Sequence, residues 1–256
     1  MQNFVLHFKR IFYNLGFFAR TLKGIISFIR NYKATYKILV MQILFTFVYA
    51  LGITTLLALA IGAAVNVIGG PFLTGINQSQ LMYSLLIIII TREFGPLLTA
   101  FIVIARSATA IATEIAGMVV SHEVEAYISV GVDPIEHIAV PRFLGVTISL
   151  VLLNLYFSIF GLAGSYLIAQ FFYSTPMDYY FNSILSHLHI RDVLLSIIKS
   201  IAFGTIISIG AVINGFSVER ASTEVPVAGL KAVSSSFAYC IIVNVLLSVL
   251  FYIILV

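Results

Sequence analysis

Between Lys37 and Arg92 the chain carries no charged side chain. Residues 38–68 of that stretch are apolar and long enough for a tilted membrane span, at about 20 residues per bilayer core. Gly69, Gly70, Pro71, Asn77, Gln78, Ser79 and Gln80 then predict a loop over 69–80. A second apolar stretch runs over 81–113, interrupted by Arg92-Glu93-Phe94-Gly95-Pro96. After a polar, acidic segment, a third span is expected over 143–172. Residues 173–192 are polar and aromatic, a fourth span covers about 193–213 and contains Lys199, and a loop over 214–231 precedes a fifth at 232–256. Upstream, Phe4, Phe8, Ile11, Leu15, Phe18, Leu22, Ile25 and Ile29 recur at the spacing of one helical face. Bases lie beside that stripe, so residues 1–37 read as an amphipathic helix in the membrane interface rather than as a solvated helix. The pattern predicts an all-α, polytopic membrane protein with five transmembrane helices.

Composition agrees and excludes other classes. The 256 residues are 61% hydrophobic and 9% charged, with a mean hydropathy of +1.09. A soluble domain is about a quarter charged, so this chain cannot cover a globular surface of its size, and it is too apolar to be disordered. A single membrane domain over 1–256 is expected, with no room for a soluble catalytic module. The lone Cys240 excludes a disulfide framework and a cysteine metal cluster. Lys9 and Arg10 break the first apolar residues, so neither a cleavable signal peptide nor a transit peptide is expected.

The distribution of charge sets the orientation. Lys9, Arg10, Arg20, Lys23, Arg30, Lys33 and Lys37 stand in the first 37 residues with no acid among them. These bases flank apolar segments, which favours an anionic membrane face over nucleic acid. Arg142, Arg220 and Lys231 fall on the same side of a five-span topology, and the opposite loops hold Arg191 alone. The positive-inside rule then places the N-terminus in the cytoplasm and the C-terminus outside.

Few residues carry candidate chemistry. The sequence has no phosphate-cradling G-x-x-x-x-G-K-[ST] loop, no H-E-x-x-H metal pair and no G-x-S-x-G nucleophile turn. His187 and His189, two residues apart, fall on different faces of a helix, and no metal site is expected. Charges at membrane depth are costly and face a bundle interior or a water cavity. Arg92, Glu93 and Lys199 are therefore the candidate substrate-site residues, at comparable depth because both their spans begin outside. The competing reading is a neutralised ion pair that only holds helices together. Gly95-Pro96 is placed to break or kink the helix and open backbone groups to a cavity. Arg106, further along, is placed to snorkel to the cytoplasmic interface.

Glu114, Glu123, Glu125, Asp133 and Glu136 face Arg142 alone over 114–142. Ser121 with Glu123 and Glu125 predicts the start of a short helix that Gly131 ends, followed by a turn at Asp133-Pro134. Glu123, Glu125, Tyr127, Gly131 and Asp133 form a candidate docking element for a soluble partner; an ordinary solvated loop is the alternative.

Arg92-Glu93-Phe94-Gly95-Pro96-Leu97-Leu98-Thr99-Ala100, Ala105-Arg106, Glu114, Glu123-Val124-Glu125-Ala126, Gly131-Val132-Asp133-Pro134 and Pro141-Arg142 resemble the MlaE/YrbE permease family. These are membrane subunits of lipid-transporting ABC systems that work with MCE proteins. Glu125 stands where the family usually carries Asp and keeps the charge. The resemblance implies a homodimeric inner-membrane permease that moves phospholipid between inner and outer membranes and so maintains outer-membrane lipid asymmetry. It implies a cytoplasmic ABC ATPase docked on the helix at 121–131, a periplasmic MCE-domain protein and a STAS-domain accessory protein. No cofactor is expected on the chain itself; ATP would act through the partner ATPase. The rival readings are an intramembrane lipid-modifying enzyme using Glu93 with His187 or His189, and a structural or channel subunit.

Overall fold

The uncharged stretches fold as long helices because a backbone in hydrocarbon must satisfy its own hydrogen bonds. Among the described residues of the computed structural model, five helices are long and apolar enough to cross a membrane: Tyr36–Leu73, Leu81–Val120, Ile135–Tyr173, Ile190–Phe216 and Glu224–Ile253. The structure describes residues 16–17, 19–21, 23–25, 32–75, 81–219 and 221–255, and no strand occurs among them. The expected interfacial helix lies largely outside the described residues. Those of its residues that are described, Gly16, Phe17, Ala19–Thr21 and Lys23–Ile25, are helical.

Several helices are longer than the apolar runs, each for a local reason. The first continues through Gly69, Gly70 and Pro71 to Gly75. There Tyr173 packs so closely that a Cβ on Gly70 would meet its hydroxyl at 2.7 Å, so this glycine serves packing and not a turn. The second accommodates Glu114 before its end at Val120, because Arg142 Nη2 donates to Glu114 Oε1 at 2.6 Å. The third begins early because Asp133 Oδ1 accepts the Ile135 N–H at 2.9 Å, with Pro134 in the first turn. Within the polar segment 173–192 a further helix forms, Met177–His187. Its Tyr180 and Ile184, one turn apart, are buried. Burial pushes the Tyr180 phenol up to about 12, so it stays protonated and donates to the Leu162 carbonyl at 3.0 Å.

Two compact units are present. One comprises the described residues up to Thr46 with Ile104–Thr147 and Thr205–Tyr239. In it Ser107 donates to Thr46 at 3.2 Å, and the Phe17 and Phe216 rings lie 6.3 Å apart. The other comprises Phe47–Val103, Ile148–Gly204 and Cys240–Val256. Its core gathers Ala58, Leu86, Ile90, Phe157, Tyr180 and Ile184. Here the first and third spans touch backbone to backbone: a Cβ on Gly62 would fall inside the Gly161 carbonyl oxygen. Asn66 Nδ2, one turn on, donates to the Ser165 carbonyl and hydroxyl, each at 3.0 Å. Small residues with a polar clamp are how helices associate where lipid offers no hydrophobic drive. Gly62→Val should therefore cost at least about 1–3 kcal/mol by overpacking, read as a lower melting temperature of the purified protein, whereas Gly52→Val, in open space, should not.

Candidate functional site

The second unit holds every charge expected at membrane depth. From Ile87 to Phe94 the second span widens to i→i+5 bonding, and Gly95 N–H reaches the Ile90 carbonyl. Such widened turns concentrate at functional sites. The helix does not break at Pro96; it continues as Gly95–Val103. Pro96 has no N–H to offer the Arg92 carbonyl four residues back. Lys199 Nζ donates to that carbonyl instead, at 3.2 Å. The Arg92 carbonyl is thus met by a lysine from the fourth span, not opened to a cavity.

Lys199 is fully buried. Its ammonium also donates to Glu93 Oε2 at 2.7 Å and to Ser248 Oγ at 2.8 Å, so all three protons have acceptors. Ser248 lies 3.2 and 3.0 Å from the two Glu93 oxygens. Glu93 is therefore engaged at both oxygens and is not held as a free general base.

Arg92 is different. It is 6% exposed, and its acidic neighbours are distant: Nη1 is 3.5 Å from Asp192 Oδ1, and Nε is 3.7 Å from Glu93 Oε1. A charge-assisted bond measures about 2.8 Å. Nε and Nη2 are buried with no hydrogen-bond partner. The guanidinium carbon lies 4.8 Å from the Phe251 ring centroid and 4.6 Å from that of Tyr252, within cation–π range. Two cations and two carboxylates sum to zero here, yet the pairing is uneven. Lys199 is satisfied and Arg92 is not. A buried guanidinium with spare N–H groups beside aromatic rings suits an anion that brings apolar surface with it.

Asp192, Ser248, Phe251 and Tyr252 were not among the expected residues. Asp192 had a signal: it stands seven residues before Lys199, two turns away on the same helical face. Its Oδ2 accepts the His189 N–H at 3.3 Å, which anchors it at the start of the fourth span. The other three lie in an uncharged run and carried no signal. His187 Nδ1 is 2.8 Å from the Ser183 carbonyl, and its ring lies 6.1 Å from Tyr83. Arg106 is exposed.

The candidate docking residues lie in the first unit. A helix runs over Glu123–Ser129, and the residue at its N-cap is not Ser121 but His122, in the left-handed region at φ 62°. His122 Nδ1 pairs with Glu125, and Ser121 Oγ donates to Glu123 at 3.0 Å. The helix ends at Gly131, φ 78°, with Gly131 N–H on the Ile128 carbonyl and Val132 N–H on that of Tyr127. That paired closure needs a residue at ease with positive φ, which is glycine. The Tyr127 ring packs 5.2 Å from His137, while Ile128 and Val130 stand exposed beside the two glutamates.

The family described as Permease MlaE matches residues 39–250. A probable ABC transporter permease protein of Rickettsia prowazekii is 28% identical over 84% of this chain and 83% of its own length. A probable ABC transporter permease protein of Synechocystis is 30% identical over 62% of this chain and 60% of its own. The Arabidopsis thaliana protein TRIGALACTOSYLDIACYLGLYCEROL 1, chloroplastic, is 26% identical over 79% of this chain and 58% of that protein. With five helices long and apolar enough to span a membrane and a family match over most of its length, the chain belongs to the MlaE permease family and is a multi-pass permease subunit of a transporter.

Proposed function

We propose that this permease subunit moves phospholipid between the inner and outer membranes and so maintains outer-membrane lipid asymmetry. The observation that carries the reading is the buried Arg92 guanidinium, with no hydrogen-bond partner on Nε or Nη2 and its carbon over the Phe251 and Tyr252 rings. A phosphate oxygen of a lipid head group fits those donors, and the acyl chains take the apolar surroundings. In this reading Arg92 is the phosphate contact, and Lys199 and Glu93 brace the helix that presents it. The glycerolipid in the Arabidopsis relative's name favours a lipid cargo.

The chain supplies no nucleotide loop, so the energy comes from a cytoplasmic ABC ATPase, and no cofactor is bound by the permease itself. That ATPase docks on the helix Glu123–Ser129, where Glu123, Glu125, Tyr127, Gly131 and Asp133 shape a rigid projection and Ile128 and Val130 offer apolar contact. The excess of bases on that side orients it to the cytoplasm of a bacterial inner membrane, with the C-terminus periplasmic. The fifth span has 11% of its apolar window buried, against 61% for the second, which leaves a face for a second copy of the chain. A periplasmic MCE-domain protein receives or delivers the lipid, and a STAS-domain protein joins on the ATPase side.

Purification from native membranes in mild detergent tests this. An ATPase with a Walker A loop, an MCE-domain protein and phospholipid should accompany the chain. Recovery of the intact membrane complex without an ATPase and without phospholipid would refute the reading.

A further inference from the structure

Within the first unit lies a cleft of about 750 Å³ that the transport site does not use. Three helix ends frame it. Lys37 stands at the start of the first span, Met118 near the end of the second and Ile138 near the start of the third. A chain that crosses a bilayer at each span must place those three ends on one side, so the cleft lies at one membrane boundary. Its wall is apolar, with Met41 and Phe45 exposed along the first span and Ile111 and Met118 opposite.

Its charge is not balanced. Among the described residues Glu114 is the one carboxylate on the lining, and Arg142 Nη2 already holds it at 2.6 Å. Arg142 also donates from Nη1 to the Ile138 carbonyl at 3.0 Å. The remaining donor, Nε, is buried without a hydrogen-bond partner on a residue that is 5% exposed. Lys37 adds a second cation at the mouth, and His137 and Tyr127, their rings tilted and 5.2 Å apart, are further titratable groups on the wall. A small soluble anion would leave the apolar wall wet, and a zwitterionic lipid would set its own cation against Lys37 and Arg142.

We infer that this cleft binds an acidic phospholipid from the leaflet that faces Lys37, with its phosphate between Lys37 and Arg142 Nε and an acyl chain along Met41 and Phe45. The site is separate from Arg92 and does not depend on which cargo the transporter carries. It takes a lipid of the surrounding bilayer, so the permease would respond to the charge of its own membrane.

The full-length chain, with the subunits that accompany it, can be reconstituted in vesicles carrying phosphatidylglycerol or phosphatidylcholine with a diazirine in the acyl chain. Photolabelling should favour phosphatidylglycerol about five-fold on the peptide that holds Met41 and Phe45, the factor equivalent to one lysine at an anionic interface. Lys37→Gln should abolish the preference, and Lys37→Glu should reverse it. Lys37 is exposed and makes no part of the Arg142–Glu114 pair, so these variants leave that pair in place. Equal labelling by the two lipids, or labelling unchanged by Lys37→Glu, would overturn the inference. Suppression of the labelling by excess glycerol phosphate added before photolysis would also overturn it, because that marks a site for soluble anions.

Discussion

Replacing Lys199 by methionine is expected to lower stability by about 3 kcal/mol, the low end of the penalty for removing one partner of a buried ion pair, because the Glu93 side chain is partly exposed. The ammonium has no alternative contact with solvent, and its loss strands three acceptors at once: the Glu93 carboxylate, the Ser248 hydroxyl and the Arg92 carbonyl that Pro96 leaves open. Methionine fills the volume but donates nothing. The melting temperature of the purified protein should fall on the order of 10 °C for a domain of this size. Adding Glu93→Gln should recover most of that loss, because the stranded charge goes with it. The two substitutions would then be strongly non-additive, as for residues in direct contact. A single variant that melts like the native protein, or a double variant no better than the single, would show that the pair does not organise this part of the second span.

Arg92→Ala is expected to leave that pair in place and to weaken phospholipid binding by about 100-fold, the value of two hydrogen bonds from a charged donor at the low end of their range. Arg92→Lys keeps the charge but loses the planar fork and should fall between the two. The readout is photolabelling by a phospholipid with a diazirine near its head group, mapped to the peptide that holds Phe251 and Tyr252. Native-like labelling of that peptide in Arg92→Ala would remove Arg92 from the site. Because the docking helix is a different element, ATPase association should persist in both variants.

The five spans were legible because hydrocarbon admits few charges, and long uncharged runs have little other use. Their ends were less so. Glu114 lies inside a helix because Arg142 meets it, and a pair 28 residues apart leaves no local mark on the sequence. The Gly69-Gly70-Pro71 run has turn composition, yet the ring of Tyr173 lies against it and the helix continues. Arg92, Glu93 and Lys199 stood out by cost alone, since a charge in an apolar run demands a partner. What the sequence left open was who partners whom. Asp192 read as the end of a polar segment although it shares a face with Lys199. Ser248, Phe251 and Tyr252 were one more part of an apolar run. The unequal pairing of the two cations, which singles out Arg92, depends on distances that composition and spacing do not encode.

The most direct test of the account is ATP-dependent phospholipid transfer by the reconstituted complex, comparing the native chain with Arg92→Ala at equal ATPase content. The account predicts ATP-dependent transfer by the native complex and a loss of about 100-fold in Arg92→Ala, with the ATPase still bound. Transfer at the native rate without the Arg92 guanidinium, or no movement of phospholipid by the native complex, would contradict it.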